Sequence, residues 1–360
     1  WEGWIDLRRW TAYYMVMFVV FNSCTSRQDV YRYVNWLLAV GTAFSAYGIV
    51  QIFGFDFPFL VQNFKGNATD GNPNFAAEYI TMVLPLAFFM SIATMGRVRS
   101  IFYIAATLIT GYFIVLNRCK AAWVGLSFAS MVAVVYTASM LLTNKLRLKI
   151  TDRERYVFKR LVQIIALSFV IVVVGASATF IPAVKDLHPS IREGHNRFIS
   201  VAKEFLEFKT VGYLLSPESK IDESVIILGD TTMQRIFIWK HAWELYKQHP
   251  LFGVGLGNFK IAYQPYRSRK EQLATGPEVF VRRTHNDWLQ CLVELGPLGF
   301  GAFILIQLCL YWMGHRYLVR SSRFEGQCLV LGSMTAFMAL FTTAIFGFPL
   351  HSPNPTFTVW

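Results

Sequence analysis

Residues 121–142 read AAWVGLSFASMVAVVYTASMLL, a stretch of 22 residues without a charged side chain. A bilayer core is about 30 Å thick, and a helix needs roughly 20 mostly apolar residues to cross it. The stretch therefore predicts a membrane-spanning helix. Seven further apolar runs, the first of them short, lie at 10–22, 33–53, 75–95, 101–116, 161–181, 288–313 and 328–348. Together the runs predict an all-α polytopic membrane protein.

The composition supports this class. Only 16% of the 360 residues are charged and 54% are hydrophobic, whereas a soluble domain has about 25% charged residues. Aromatic residues make up 16% of the chain, which suits the aromatic belts at membrane interfaces. The five cysteines form no CxxC pair and no cluster with histidine, so we expect neither a metal site nor a disulfide framework. They are Cys24, Cys119, Cys291, Cys309 and Cys328.

The basic residues predict the orientation. Fourteen of them lie in the connections on one side of the predicted spans, including Arg27, Arg32, Arg97, Arg99 and Arg316. The positive-inside rule assigns that side to the cytoplasm. The net charge of +12 is therefore mainly a topology signal, and we expect no nucleic-acid partner.

This orientation divides the chain into three parts. We expect about six spans in 1–181, an extracytoplasmic loop domain in 182–287 with a helix near 232–248, and about two spans in 288–360. The chain begins with Trp1 and stops at Trp360 in an apolar stretch, so we expect a fragment that lacks terminal spans.

Cations gather at the predicted outer surface, although the spans hold few charged residues beyond Glu78 and Glu294. Arg118 and Lys120 lie in the outer turn before the fifth run, where they could bind an anionic group or extend to lipid headgroups. Arg235 precedes Trp239, Ala242, Trp243 and Tyr246 at helical spacing, and this predicts that it shares their apolar face. An arginine in that position needs an anion, either a phosphate or a partner carboxylate within the loop.

A histidine lies at the start of the seventh run. Thr284 and Asp287 have capping-box spacing, which predicts His285 in the first turn of a helix. The positive end of a helix disfavours imidazolium, so His285 could act as a neutral base or be purely structural. Downstream, Pro297 predicts a kink.

Two further segments contain turn-forming residues. Gly253, Gly255 and Gly257 predict a tight turn with positive φ rather than a dinucleotide loop, because no βαβ unit surrounds them. In GNPNFAAEYI (71–80), either Asn72 or Asn74 could cap the third span.

These segments together resemble the bacterial O-antigen ligase family, whose superfamily includes O-antigen polymerases and pilin oligosaccharyltransferases. The resemblance is carried by GNPNFAAEYI, NRCKAAWVGL (117–126), RIFIWKHAWELYKQHPLFGVGLGNF (235–259), THNDWLQCLVELGPLGF (284–300) and FGFPLHSP (346–353), in this order.

The resemblance implies a C-type-like glycosyltransferase bundle with one large periplasmic loop in the bacterial inner membrane. Such enzymes transfer a glycan from undecaprenyl diphosphate to lipid A-core, or to another glycan or protein acceptor, without metal or cofactor. The matching motifs imply that Lys120, Arg118 and Arg235 bind the diphosphate and that His285 and Arg235 act in the catalytic step. Asn286, Glu294 and Asn74 have supporting roles. Where the family usually has arginine, this chain has Lys120, which keeps the charge but loses the bidentate fork.

Two other classes stay open. A lipid-linked glycan flippase needs cations along a path through the membrane rather than at one face. A membrane scaffold would leave Arg235 and His285 without a role. Convergence of Lys120, Arg235 and His285 under the outer loop would favour the enzyme.

Overall fold

The computed structural model describes residues 2–54, 68, 72–94, 96–117, 119–142, 218, 221–223, 226, 228 and 231–351. All regular elements in these ranges are helical, with no strand. The apolar run predicted at 161–181, Arg118 and most of the predicted loop before residue 231 lie outside the described residues.

The helices follow one another in two groups. The first contains α1 (Glu2–Ser23), α2 (Arg27–Ile52), α3 (Pro73–Ala93), α4 (Arg97–Asn117) and α5 (Lys120–Leu142). The second contains α6 (Thr231–Gln248), α7 (Phe259–Ala262), α8 (Arg269–Thr275), α9 (Asp287–Arg320) and α10 (Phe324–Thr343). Among the described residues, six helices are long and apolar enough to span a membrane, namely α2, α3, α4, α5, α9 and α10. The predicted class, an all-α polytopic membrane protein, is confirmed.

Helix α3 lies at the centre of the bundle. It packs most extensively against α10 and α4, and α10 packs in turn against α5. The α5–α10 contact is close at Gly125, where a Cβ atom would lie 2.6 Å from the carbonyl oxygen of Ala339. Asn72 caps α3 by accepting a hydrogen bond of 2.8 Å from the Asn74 amide, so Asn72 rather than Asn74 has the capping role. The start of α3 is thereby held in place.

The bundle has two chemically different ends. The N-termini of α2, α4 and α10 lie together around one cavity, whose lining includes Arg32, Arg99 and Glu325; we call this the basic end. The starts of α3, α5 and α9 lie at the other end, with α6 beside them, and we call this the loop end. The charge pattern of the sequence likewise groups Arg32 and Arg99 on one side.

Helix α9 changes direction at Gly296, which has φ 64° and ψ −172°. Pro297 follows it, so the predicted kink is present and its non-helical residue is the glycine before the proline. A Cβ atom at Gly296 would collide with the backbone of Leu251 in the glycine-containing turn after α6. The kink therefore seats that turn against α9.

A buried polar network holds the loop helices together. The two ring nitrogens of His241 lie 2.7 Å from Glu271 Oε2 and 2.8 Å from Glu218 Oε2. The Tyr263 hydroxyl donates to Glu271 Oε2 at 2.6 Å, and Arg267 Nε donates to Glu271 Oε1 at 3.0 Å. Helices α6 and α8 are thus joined through one carboxylate.

Candidate active site

Helix α6 is attached to the segment that precedes α9. The indole Nε1 of Trp239 donates a hydrogen bond of 2.8 Å to the carbonyl oxygen of Thr284. Thr284 is fully buried, and its amide donates to Gln290 Oε1 at 2.9 Å. Arg235 lies one helical turn before Trp239, so this attachment brings it close to the start of α9. The sequence also places Trp243 on the buried face, but that side chain is 45% exposed.

His285 lies just outside α9, in a left-handed backbone conformation with φ 55°. The N-cap of α9 is Asn286, whose side chain accepts a hydrogen bond of 3.0 Å from the Leu289 amide. The predicted position of His285 in the first helical turn is therefore wrong. Positive φ is uncommon for a residue with a side chain and is often found at functional sites. Here it directs the chain into the helix immediately after the histidine.

The segment after α10 packs against His285. The ring of Phe348 packs edge-on against the imidazole, with centroids 5.0 Å apart, and also against Phe75 at the start of α3. Asp287 anchors this segment, because its Oδ2 accepts from the Leu350 amide at 2.8 Å and its own amide donates to Ala344 O at 2.8 Å. Phe348 of the motif FGFPL therefore lies against the histidine.

Arg235 is mostly buried near the carboxyl group of Glu78 and the thiol of Cys119. Burial lowers the pKa of its guanidinium, and electrostatic interactions with Cys119 and Glu78 raise this pKa in part. Glu78 is only 2% exposed and lies in the second turn of α3. Arginine is always protonated in proteins, so a permanent cation is held next to the ends of α3 and α5.

His285 is a neutral imidazole at physiological pH. Burial lowers its pKa to about 4, with further lowering by the positive charges of Arg235 and Arg283. Desolvation is thus the main cause, and the two arginines add to it. The influence of Arg235 places the arginine within electrostatic range of the histidine, in line with the bond that joins Trp239 to Thr284.

Cys119 is a protonated thiol. Burial raises its pKa to about 12, and Glu78 raises it further. It therefore packs at this site without being a thiolate nucleophile.

The remaining predicted residues are less central. Lys120 is the first residue of α5, directly after Cys119, and its side chain is exposed. Asn74 is exposed and adjacent to Phe75. Arg118 lies outside the described residues. Of the three groups expected to converge, the structure brings Arg235 and His285 together and places Lys120 at the adjacent helix start.

The hydrogen bonds of the Glu294 and Asn286 side chains go to backbone amides and to Gln290 rather than to the His285 ring. Glu294 is 3% exposed and accepts from the Gly257 amide at 2.9 Å and from Gln290 Nε2 at 2.8 Å. It fastens the glycine turn, in which Gly253, Gly255 and Gly257 all have the predicted positive φ. The two residues therefore support the segments that carry the site.

Sequence reasoning did not assign Glu78 and Arg283 to the site. Glu78 carried a signal, because an ionisable residue in an apolar span is a functional candidate. Arg283 could have been found only by its position two residues before His285. In the described part of the chain, no group of three or more histidine, cysteine or acidic residues is arranged to hold a metal ion.

These features define a polytopic membrane protein with a cationic, histidine-containing site at one end of its helical bundle. A family model described as O-antigen ligase matches residues 80–304. The match includes Arg235 and His285 and covers more than half of the chain, so the protein belongs to the O-antigen ligase family, in a superfamily of glycan-transfer proteins. No curated protein matches the chain.

Proposed function

We propose that this protein transfers a glycan from undecaprenyl diphosphate to an acceptor such as lipid A-core, by metal-independent direct displacement. The observation that carries the proposal is that a mostly buried arginine, Arg235, lies within electrostatic range of a neutral histidine, His285, on elements joined by the Trp239–Thr284 hydrogen bond. Family membership supplies the reaction class.

Arg235 would bind the diphosphate of the donor. Departure of undecaprenyl diphosphate from the anomeric carbon leaves negative charge on the leaving phosphate oxygen, and a preorganised cation stabilises that charge. The planar guanidinium can bind two phosphate oxygens at once. Lys120 and Arg118, beside Cys119, would add further positive charge.

His285 would accept the proton of the acceptor hydroxyl as its oxygen attacks the anomeric carbon. A pKa of about 4 makes a weak base in the empty site. A bound diphosphate would offset the positive charges of Arg235 and Arg283 and so raise the pKa of the imidazole towards the useful range. One displacement of this kind would invert the anomeric centre.

The proposed topology follows the positive-inside rule. The basic end, with Arg32 and Arg99, would face the cytoplasm, and the loop end would face the periplasm across the inner membrane. The same site would serve an O-antigen polymerase or a protein O-oligosaccharyltransferase, which differ in the acceptor. A flippase is disfavoured because Arg235 and His285 lie at one end.

The proposal is tested by glycan transfer in proteoliposomes that contain an undecaprenyl-diphosphate-linked glycan and lipid A-core. We expect product with the unmodified protein, including in the presence of a chelator. Arg235→Ala and His285→Ala should each lower the rate by about 10²-fold or more. Arg269→Ala and His249→Ala, which alter exposed residues in the same loop, are the matched controls and should retain activity.

Other results would redirect or overturn the proposal. Lengthening of the lipid-linked glycan without transfer to lipid A-core would identify a polymerase. Carrier movement across the bilayer without a new glycosidic bond would rule out the enzyme. Loss of product with chelator would contradict the metal-independent step.

A further inference from the structure

A large cavity lies at the basic end, far from the Arg235–His285 site. Its volume is about 940 Å³, and it is formed by the first turns of α2 and α4 with Glu325 of α10. A second cavity of about 520 Å³ adjoins it and shares Val98, Arg99 and Glu325. The proposed glycan transfer leaves both cavities unused.

The charges in this cavity are only partly compensated. Arg32 and Arg99 are exposed residues of its wall, and Glu325 faces the same space. Arg32 has a neighbour in Asp29, 3.5 Å away on its own helix. Within the described ranges, neither Arg99 nor Glu325 makes a salt bridge shorter than 4.0 Å. Arg99 and Glu325 therefore line one space without a direct ion pair among the described residues.

The second cavity has an unsatisfied polar group. Thr94 lines it and is 5% exposed, and its hydroxyl has no hydrogen-bond partner among the described residues. The neighbouring start of α10 has no side-chain cap at Arg323. Buried hydroxyls and uncapped helix amides are groups that a bound ligand satisfies.

The wall of the first cavity is apolar towards the bilayer. Trp36 is 67% exposed and Val98 is 81% exposed, and Phe102 lies beside them. Large apolar side chains exposed on a spanning helix contact lipid. The cavity thus combines a mostly apolar lining with charged groups of both signs, beside side chains that are exposed on the surface of spanning helices.

We propose that this cavity binds a phospholipid whose headgroup carries both a phosphate and a primary ammonium. Arg32 and Arg99 bind the phosphate, for which arginine has matching geometry. Glu325 accepts hydrogen bonds from the ammonium, and Trp36 and Phe102 contact the acyl chains. Such a lipid bridges α2, α4 and α10 at the end opposite the transfer site.

The test is native mass spectrometry of the delipidated full chain with phosphatidylethanolamine or phosphatidylglycerol at equal concentration. We expect phosphatidylethanolamine to bind more tightly, by about tenfold. Arg99→Gln should weaken both lipids by about tenfold, which corresponds to one charge-assisted contact. Glu325→Gln should abolish the preference for phosphatidylethanolamine, and it should bind phosphatidylglycerol at least as tightly as the unmodified protein does. Arg320→Gln, at an exposed position outside the cavity, should change neither.

Two further arms distinguish a lipid from a free anion. Inorganic phosphate and chain-free glycerophosphoethanolamine should compete at least a hundredfold more weakly than the lipid, because they lack the contacts with Trp36 and Phe102. A photoreactive phosphatidylethanolamine should crosslink to peptides of α2 or α4.

Three results would overturn the proposal: equal affinity for the two lipids, full competition by inorganic phosphate, or crosslinks confined to other helices. The lipid preference is a ratio within one variant, so it remains informative when a variant is less stable.

Discussion

The indole of Trp239 and the carbonyl of Thr284 are joined by a hydrogen bond of 2.8 Å. This bond connects the helix that carries Arg235 to the segment that carries His285. Because the two functional groups belong to different elements, their separation depends on how firmly α6 is held against the start of α9. We therefore expect Trp239 to position Arg235 relative to His285 in the proposed site.

Trp239→Phe should lower catalytic efficiency while the protein stays folded. The substitution retains the aromatic ring but removes the donor, at a cost of about 1–2 kcal/mol when the Thr284 carbonyl is left without its partner. A small displacement of Arg235 relative to His285 should then reduce kcat/KM by about 10–100-fold. Steady-state transfer kinetics and circular dichroism measure the two effects.

Trp243→Phe is the matched control for this prediction. It makes the same change one turn further along α6, at a side chain that is 45% exposed. Its kcat/KM should stay within about twofold of wild type. Equal losses in both variants would show that the indole bond to Thr284 has no special role.

Arg235 should control the protonation of His285. Burial is the largest cause of the low His285 pKa; together with the charges of Arg235 and Arg283, it lowers the pKa from 6.5 to about 4. Arg235→Gln should raise this pKa, because one positive charge is removed while burial remains. The histidine modification rate with diethylpyrocarbonate, mapped to His285 by mass spectrometry, follows the neutral fraction. In wild type the modification rate of His285 should change little between pH 5 and 8. In Arg235→Gln this rate should fall measurably towards pH 5.

The same pKa has a stability consequence with a definite sign. Between pH 4 and 6.5 the unfolded state binds a proton at His285 that the folded state does not, so the free energy of unfolding should rise with pH in that window.

The control for the diethylpyrocarbonate experiment is Arg269→Gln, at an exposed position of α8. It should leave the pH profile of His285 modification unchanged. A profile that is the same in Arg235→Gln and wild type would contradict the electrostatic coupling.

The His241 network should make the loop less stable at alkaline pH. Burial alone lowers the pKa of His241, but hydrogen bonds and charges from Glu271 and Glu218 outweigh it and raise the pKa above 6.5. The charged histidine therefore stabilises the folded loop fully below pH 6.5, and this contribution is lost as the pH rises through the folded-state pKa. Hydrogen exchange of α6 and α8, corrected for intrinsic rates, should show lower protection at pH 9 than at pH 6.

His241→Gln should remove this pH dependence and destabilise the loop by about 2–4 kcal/mol, because Glu271 loses a buried charged partner. His249→Gln alters an exposed histidine at the end of the same helix and should preserve the wild-type protection. Unchanged protection in His241→Gln would mean that Arg267 and Tyr263 alone hold the Glu271 carboxylate.

Gly296 should be the residue of the α9 kink that tolerates substitution least. It has φ 64°, and an added Cβ would lie 2.8 Å from the carbonyl carbon of Leu251. Gly296→Ala should cost about 1–3 kcal/mol, seen as a lower thermal midpoint in detergent. Gly301→Ala is the control, since no atom lies within 4 Å of its Cβ position. It should be neutral or stabilising by up to about 1 kcal/mol. Equal midpoints for the two variants would show that the kink does not depend on glycine.

The spanning helices of the described part were largely predictable from sequence. Length, apolar composition and charge asymmetry are local properties, and a bilayer imposes the same thickness on every span. The run at 121–142, for example, corresponds to α5 (Lys120–Leu142). The position of His285 outside the helix was not predictable, because Thr284 and Asn286 are both plausible caps. The choice depends on the contacts of Thr284 with Trp239 and Gln290.

The sequence by itself determined the fold class and the family, because hydrophobic runs and short motifs are readable along one chain, and it predicted Arg235 and His285 as residues of the site. Tertiary structure decided which groups surround those residues. Glu78 of α3 acts electrostatically on Arg235 of α6, and Arg235 lowers the pKa of His285, across separations of 157 and 50 residues that no local pattern encodes. Burial and the electrostatic field at a side chain depend on every element packed around it, and only the assembled bundle specifies them.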